Sequence, residues 1–221
     1  ERLVGSEMCI RDRIKILPQK DGKQCFSYAG YDAVTMKMLG VHQYENAVAA
    51  MLAAELFFEK YFAGKKNVPE LKALQHAIRE GIDRTQWMGR MELVSNDPFF
   101  LMDGAHNSNG VEALKKSLET MYPDEKFHFI MGVMADKDYG EMIRELLPLA
   151  LDFKTVTVES ERALQGEARA DCIRAKGIPA EAYRNLEDVL PDFSKSSAEK
   201  TVAFGSLYFI GEIEAFLRGK Q

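Results

Sequence analysis

A chain of 221 residues with 46% hydrophobic and 29% charged residues is long enough for one α/β domain plus part of another, and too apolar for disorder. A net charge of -5 and a pI near 5.5, without a dense block of Lys and Arg, exclude the electrostatic footprint of a nucleic-acid binder. Cys9, Cys25 and Cys172 form no CxxC pair, Ala47–Ala54 is too short an apolar run for a bilayer, and no signal peptide is visible, so the expectation is a cytoplasmic protein with reduced thiols.

Residues 1–13, ERLVGSEMCIRDR, carry mixed charge without periodicity. VGSEMCIRD resembles translated sequencing-adapter sequence, and the stretch reads as an artefact or a disordered end that adds nothing to the fold. From Ile14 to Tyr31 the pattern is strand-like, with turn chemistry at Asp21-Gly22. Residues 43–63 form a helix by the spacing of Ala47, Ala50, Met51, Ala54, Phe57, Phe58 and Tyr61, stopped by Gly64. A second helix starts behind Pro69 and runs to about Gly81, and Asp83–Arg90 reads as a loop. The rhythm then alternates. Strands are expected at Met91–Ser95, Phe99–Met102, Phe127–Met131, Phe153–Val158, Ala182–Tyr183 and Thr201–Phe204. Helices are expected at 109–121, at 139–150 behind an Asp138 cap, at 167–176, and after Ser206. Alternation of this kind implies an α/β fold with a mostly parallel sheet and helices on both faces, the domain boundary falling near 84–90.

No GxxxxGK[ST] and no GxGxxG occurs in the chain, so the two commonest phosphate-binding fingerprints are missing from it. Asp103-Gly104-Ala105-His106-Asn107 follows an apolar strand and precedes a helix, the place where open α/β sheets bind ligands. Asp103 there could accept from ribose hydroxyls while His106 faces an anion; equally, Asp103 could cap a turn that His106 satisfies. Arg90, behind Trp87 and Gly89, suits phosphate oxygens or an inter-domain salt bridge. Asn46 stands with His42 and Gln43 at the mouth of the first long helix, where N-capping is the ordinary use of such residues. Lys137, in GVMADKD, and Ser206, after Gly205, both follow apolar strands and precede helices; they could hold a carboxylate, or be a solvated Lys and a helix cap. His76 and His128 read as structural, and neither Cys25 nor Cys172 has a neighbour that would make it a nucleophile.

Taken together and in order, GVHQYENA, WMGRME, LMDGAHN, GVMADKDY and GSLYFIGE closely resemble the folylpolyglutamate synthase / dihydrofolate synthase family, relatives of the Mur ligases, over about residues 14–221. The resemblance implies a Rossmann-like sheet preceded by a helical remnant of an ATPase domain. Residues 14–88 would be the end of that central domain and 89–221 the C-terminal, glutamate ligase domain. It implies an ATP-dependent ligase that activates a folate or dihydropteroate carboxylate as an acyl phosphate and joins it to L-glutamate, with ATP lying between two domains. By motif position Asn46, Arg90, Asp103 and His106 would contact ATP, Arg90 at its phosphates. Lys137 and Ser206 would receive the incoming amino acid. The family's P-loop and Mg2+ ligands are expected in a part that this chain lacks, which would leave the 221 residues inactive alone. The parent enzyme is expected to be monomeric, with no nucleic-acid or membrane partner; a Mur-type cell-wall ligase and a non-catalytic Rossmann-like binding module are the alternatives.

Overall fold

The computed structural model describes residues 12–132, 139–157 and 166–219, and the chain divides into two compact units, one ending at Trp87 and one starting at Met88. The first unit opens with a three-stranded antiparallel sheet in the order β1 (Lys15–Lys20), β2 (Lys23–Tyr28), β3 (Tyr31–Met36). Asp21 and Gly22 both take positive φ, 52° and 73°, the geometry that a two-residue hairpin turn requires and that Asp-Gly supplies. The strand-like reading ended at Tyr31; β3 continues beyond it because Tyr31, Val34 and Met36 bury against a helix.

That helix is α1 (Gln43–Phe62), whose Tyr44, Ala47, Val48 and Met51 pack on Phe26, Tyr28, Val34 and Met36. No side chain caps its N-terminus, so the capping expected of His42, Gln43 or Asn46 is not what these residues do. Helix α2 (Leu71–Arg84) runs through Gly81, which sequence had made its stop; Thr85 closes it instead, its N–H and Oγ1 both reaching Gly81 O. Lys23 Nζ and Thr35 Oγ1 both bond Asp83, at 2.7 and 2.6 Å, tying α2 to β2 and β3 and holding the Asp83 carboxyl below its usual range.

The second unit carries a six-stranded sheet in the order β4-β5-β9-β6-β7-β8. Its strands are β4 (Glu92–Asn96), β5 (Phe99–Asp103), β6 (Phe127–Gly132), β7 (Ala150–Val156), β8 (Ala180–Tyr183) and β9 (Lys200–Gly205). All neighbours are parallel except β4, which pairs antiparallel with β5 through the tight Asp97-Pro98 connection. The intervening helices are α3 (Ser108–Met121), α4 (Tyr139–Leu146), α5 (Gly166–Arg174) and α6 (Leu207–Gly219). Pro148 cannot continue the i→i−4 ladder, so the α-helix expected over 139–150 gives way to a 3-10 turn at Leu147–Leu149. Its expected cap, Asp138, lies outside the described residues.

In register, Met102, Ala203 and Ile130 form one row, covered by Phe209, Ile210 and Ile213 of α6. Leu101, Val202 and Phe129 form the opposite row, equally buried, with Phe129 stacked on Phe153 at 5.2 Å and edge-on to Phe204 at 5.8 Å. Thr155 on that side bonds Gly166 O at the start of α5. Burial on both faces is what continuous apolar strands demand.

Candidate active site at the carboxyl ends of the parallel strands

Register decides which strand ends meet. Asp103 of β5 stands opposite Phe204 of β9, and Gly205 of β9 opposite Gly132 of β6, so the turns leaving these three strands lie side by side. Helix α6 seats its first turn directly on this edge, and glycine makes the seat possible. A Cβ on Gly104 would stand 2.5 Å from Leu207 Cδ2, one on Gly132 would stand 2.3 Å from the Phe209 ring, and one on Gly89 would stand 2.7 Å from Ile210 Cγ2. Gly205 is the tightest: its φ is +140°, and a Cβ would fall 2.0 Å from Gly132 O. The same carbonyl accepts Ser206 N–H at 2.8 Å, locking β9 to β6 where the chain turns into α6.

Asp103 is the anchor of this edge. Only 7% exposed, it accepts Met91 N–H on Oδ2 and Ala105 N–H on Oδ1, each at 2.8 Å. Burial pushes its carboxyl up to about 6, against the lowering effect of those two N–H donors and of the Arg90 and His106 charges nearby. The turn-cap geometry is therefore present, but His106 does not satisfy Asp103: its Nδ1 donates to Gly104 O at 2.8 Å, which turns Nε2 away from that carbonyl. Asn107 Oδ1 accepts Gly110 N–H at 2.8 Å and caps α3.

Arg90 sits on a loop pinned on either side of it. Gly89 N–H donates to Glu92 at 2.8 Å, Gly89 O accepts Gly104 N–H at 2.7 Å, and Met91 N–H is held by Asp103. Arg90 itself is exposed and makes no hydrogen bond or ion pair among the described residues. A pinned backbone here presents an exposed guanidinium, a group whose planar fork can take an anionic ligand. Glu92 was not picked out from sequence; an acid three residues after Gly89, in reach of its N–H, is the signal that could have found it.

Ser206 is buried, and its hydroxyl accepts Phe209 N–H at 3.1 Å as the cap of α6. A hydroxyl that accepts one bond still has its proton to donate. Lys137 lies outside the described residues.

Asn46 belongs to the other unit. Its Nδ2 donates to Gln43 Oε1 at 3.0 Å, and Gln43 Nε2 meets His42 Nε2 at 3.0 Å, so the three polar residues form a side-chain chain along the start of α1. Gln43 is buried, while Asn46 is exposed beside a cavity of about 120 Å3 that Met36, Met38, Ala50 and Ile82 also line.

Over 191 residues the chain is 29% identical to the dihydrofolate synthase/folylpolyglutamate synthase of Bacillus subtilis, covering 85% of this chain and 42% of that protein. With the folylpolyglutamate synthase of Lacticaseibacillus casei it shares 26% identity, covering 89% of this chain and 44% of the other. The crystal structure of Thermotoga maritima folylpolyglutamate synthase superposes with a TM-score of 0.73 at 26% identity, over 94% of this chain and 47% of that one. The Mycobacterium tuberculosis folylpolyglutamate synthase complexed with ADP shows the same fold, with a TM-score of 0.73 at 23% identity, over 92% and 46%. The chain thus spans less than half the length of the relatives it matches. Residues 89–204, more than half of the chain and all of the glycine-floored strand edge except Gly205, match the Mur ligase glutamate ligase domain: the chain belongs to the Mur ligase family.

Proposed function

We propose that this chain is part of an ATP-dependent ligase that adds L-glutamate to a folate or to dihydropteroate. The observation that carries the reading is the pinned Arg90 loop, with its unpaired guanidinium beside the meeting strand ends, within a domain of this family. The names of the relatives, all folylpolyglutamate or dihydrofolate synthases, supply the substrate class, and the ADP complex of the M. tuberculosis synthase supports ATP as the activating nucleotide.

The reaction transfers the γ-phosphoryl group of ATP to the substrate carboxylate, releasing ADP. The glutamate amine then attacks the acyl phosphate, and an amide and inorganic phosphate leave. Charge accumulates on the phosphoryl oxygens in transfer, so a preplaced cation held without reorganisation lowers the barrier. Arg90 is that cation in this reading, and Asp103 and Glu92 hold the backbone on either side of it. His106 extends the anion-facing edge at the start of α3. Asp103 could take a ribose hydroxyl on a free lone pair, but its two backbone bonds make support of the Arg90 loop its first task. Asn46 contacts the nucleotide from the exposed start of α1. Ser206 and Lys137 receive the glutamate carboxylates. Mg2+ would be held by the nucleotide's phosphates and by ligands in the part of the ligase that this chain does not span; among the described residues no cluster of three or more His, Cys, Asp or Glu could take a metal. In this reading the parent enzyme acts in the cytoplasm as a monomer; among the described residues no helix is long and apolar enough to cross a membrane.

The test is an acceptor panel with the protein encoded by the complete reading frame. ATP-dependent transfer of labelled glutamate to dihydropteroate or tetrahydrofolate supports the reading. Transfer of an amino acid to a UDP-muramoyl acceptor instead would assign a cell-wall ligase.

A further inference from the structure

Two strands leave the sheet together at a second place, away from Asp103 and Ser206. Val156 and Tyr183 are the last register pair of β7 and β8, so Thr157 and Arg184 both step off the carboxyl edge there, on the far side of β6 from β9 and β5. Between these chain ends and α6 lies a cavity of about 500 Å3, a size that suits a small molecule. Its floor is apolar: Val156 is 1% exposed, and Leu186 and Phe216, both half-buried, complete it. Its rim is charged, with Arg184 and Glu187 from the turn after β8 and Glu212 from α6.

The turn that carries two of these charges is fixed in place. Leu186 O accepts both Val189 N–H and Leu190 N–H at 3.1 Å, Asn185 Nδ2 donates to Asp188 at 3.2 Å, and Val189 is buried in the core. Arg184 and Glu187 stand three residues apart on it, yet neither makes an ion pair or hydrogen bond with the other or with any other described residue. Thr157 Oγ1 accepts Gly166 N–H at 2.9 Å and keeps its own proton to donate. A guanidinium fork takes a carboxylate, and a carboxylate takes an ammonium. An inorganic anion would answer Arg184 and meet two carboxylates of its own sign; a simple amine would answer the carboxylates and leave Arg184 over. A zwitterion answers both, and a large apolar side chain on it covers the floor. We propose that this cavity binds a free α-amino acid with a large apolar side chain, its carboxylate on Arg184, its ammonium between Glu187 and Glu212, and its side chain on Val156, Leu186 and Phe216.

The probe is L-phenylalanine, titrated at millimolar concentration into the isotope-labelled 221-residue chain, which holds every residue of the cavity. Amide signals of 156–157, 184–187 and 212–216 should shift together and saturate on one isotherm. Phenethylamine, which lacks the carboxylate, and phenylpropionate, which lacks the ammonium, should each bind about tenfold or more weakly, as loss of a charge-assisted contact does. Arg184→Ala should bring L-phenylalanine down to the level of phenethylamine and leave phenethylamine unchanged; Glu187→Gln/Glu212→Gln should bring it down to the level of phenylpropionate. Arg184 and Glu187 are exposed and the Glu212 change keeps the side chain's shape, so the melting temperatures should stay within error and the losses report binding. L-Phenylalanine that shifts none of these amides overturns the proposal. So do equal affinities for the three compounds, or shifts that Arg184→Ala leaves intact. L-Glutamate that moves the same amides as strongly as L-phenylalanine overturns it too, because the apolar floor then selects nothing.

Discussion

Asp103→Ala separates what a buried carboxylate costs from what it holds. The substitution leaves Met91 N–H and Ala105 N–H without an acceptor, and both residues are nearly fully buried, 1% and 3% exposed. Two unsatisfied buried donors cost about 2 to 6 kcal/mol together. Against this, moving the carboxyl from 3.8 to about 6 disfavours its charged form by about 3 kcal/mol, which alanine relieves once the wild type is ionised. The folded state keeps a proton on Asp103 that the unfolded chain has already released between those two values. The stability from this group is therefore full below pH 3.8 and is lost as pH rises through about 6. Urea unfolding of wild type and Asp103→Ala at about pH 4 and about pH 7.5 should show a penalty for the mutation that shrinks by about 2 kcal/mol at the higher pH. Amide exchange at Met91 and Ala105 reports the same opening locally. A penalty independent of pH, or one that grows with it, would refute the reasoning, since the carboxyl would then not be raised by burial.

Arg90→Ala in the complete enzyme should cut kcat roughly 100-fold, as loss of a donor to developing charge does, and leave the melting temperature unchanged because the side chain is exposed; an equal loss of stability would return Arg90 to a structural role. Gly205→Ala should prevent folding of the second unit, since the clash with Gly132 O is backbone on backbone; a soluble variant with native circular dichroism contradicts the seat described for α6. Ser206→Ala should cost about 1 kcal/mol as a lost helix cap and also raise the KM for glutamate, with the KM for ATP unchanged, and Lys137→Ala should raise the glutamate KM alike. Glutamate kinetics untouched in both variants would leave Ser206 as a cap and nothing more.

The fold was legible where one period dominates. Apolar positions at helical spacing gave α1, and Asp21-Gly22 gave the β1–β2 turn, because each rests on local chemistry. The antiparallel direction of β4, the third strand of the first sheet, and the passage of α2 through Gly81 rest on long-range burial, which no local window contains. The site divides similarly. The order of motifs brought out Asp103, His106 and Ser206, and the structure sets the turns of Asp103 and Ser206 at neighbouring strand ends. It could not show that Asp103 accepts from both Met91 and Ala105, because that pairing depends on β5 lying beside the Arg90 loop. Asn46 looked like a cap and is instead the end of a chain through buried Gln43. Arg169 had no signal at all: a fully buried guanidinium bonded to Val156 O, with burial pulling its pKa down to about 10.

Carboxyl activation is the central claim, and oxygen exchange reads it most directly. A folate substrate labelled with 18O in the carboxylate that accepts glutamate is turned over by the complete enzyme with ATP and L-glutamate, and the released phosphate is analysed by mass. An acyl phosphate transfers one labelled oxygen per amide formed, so the account predicts phosphate carrying a single 18O in step with ADP and product. Unlabelled phosphate accompanying the same product would contradict it.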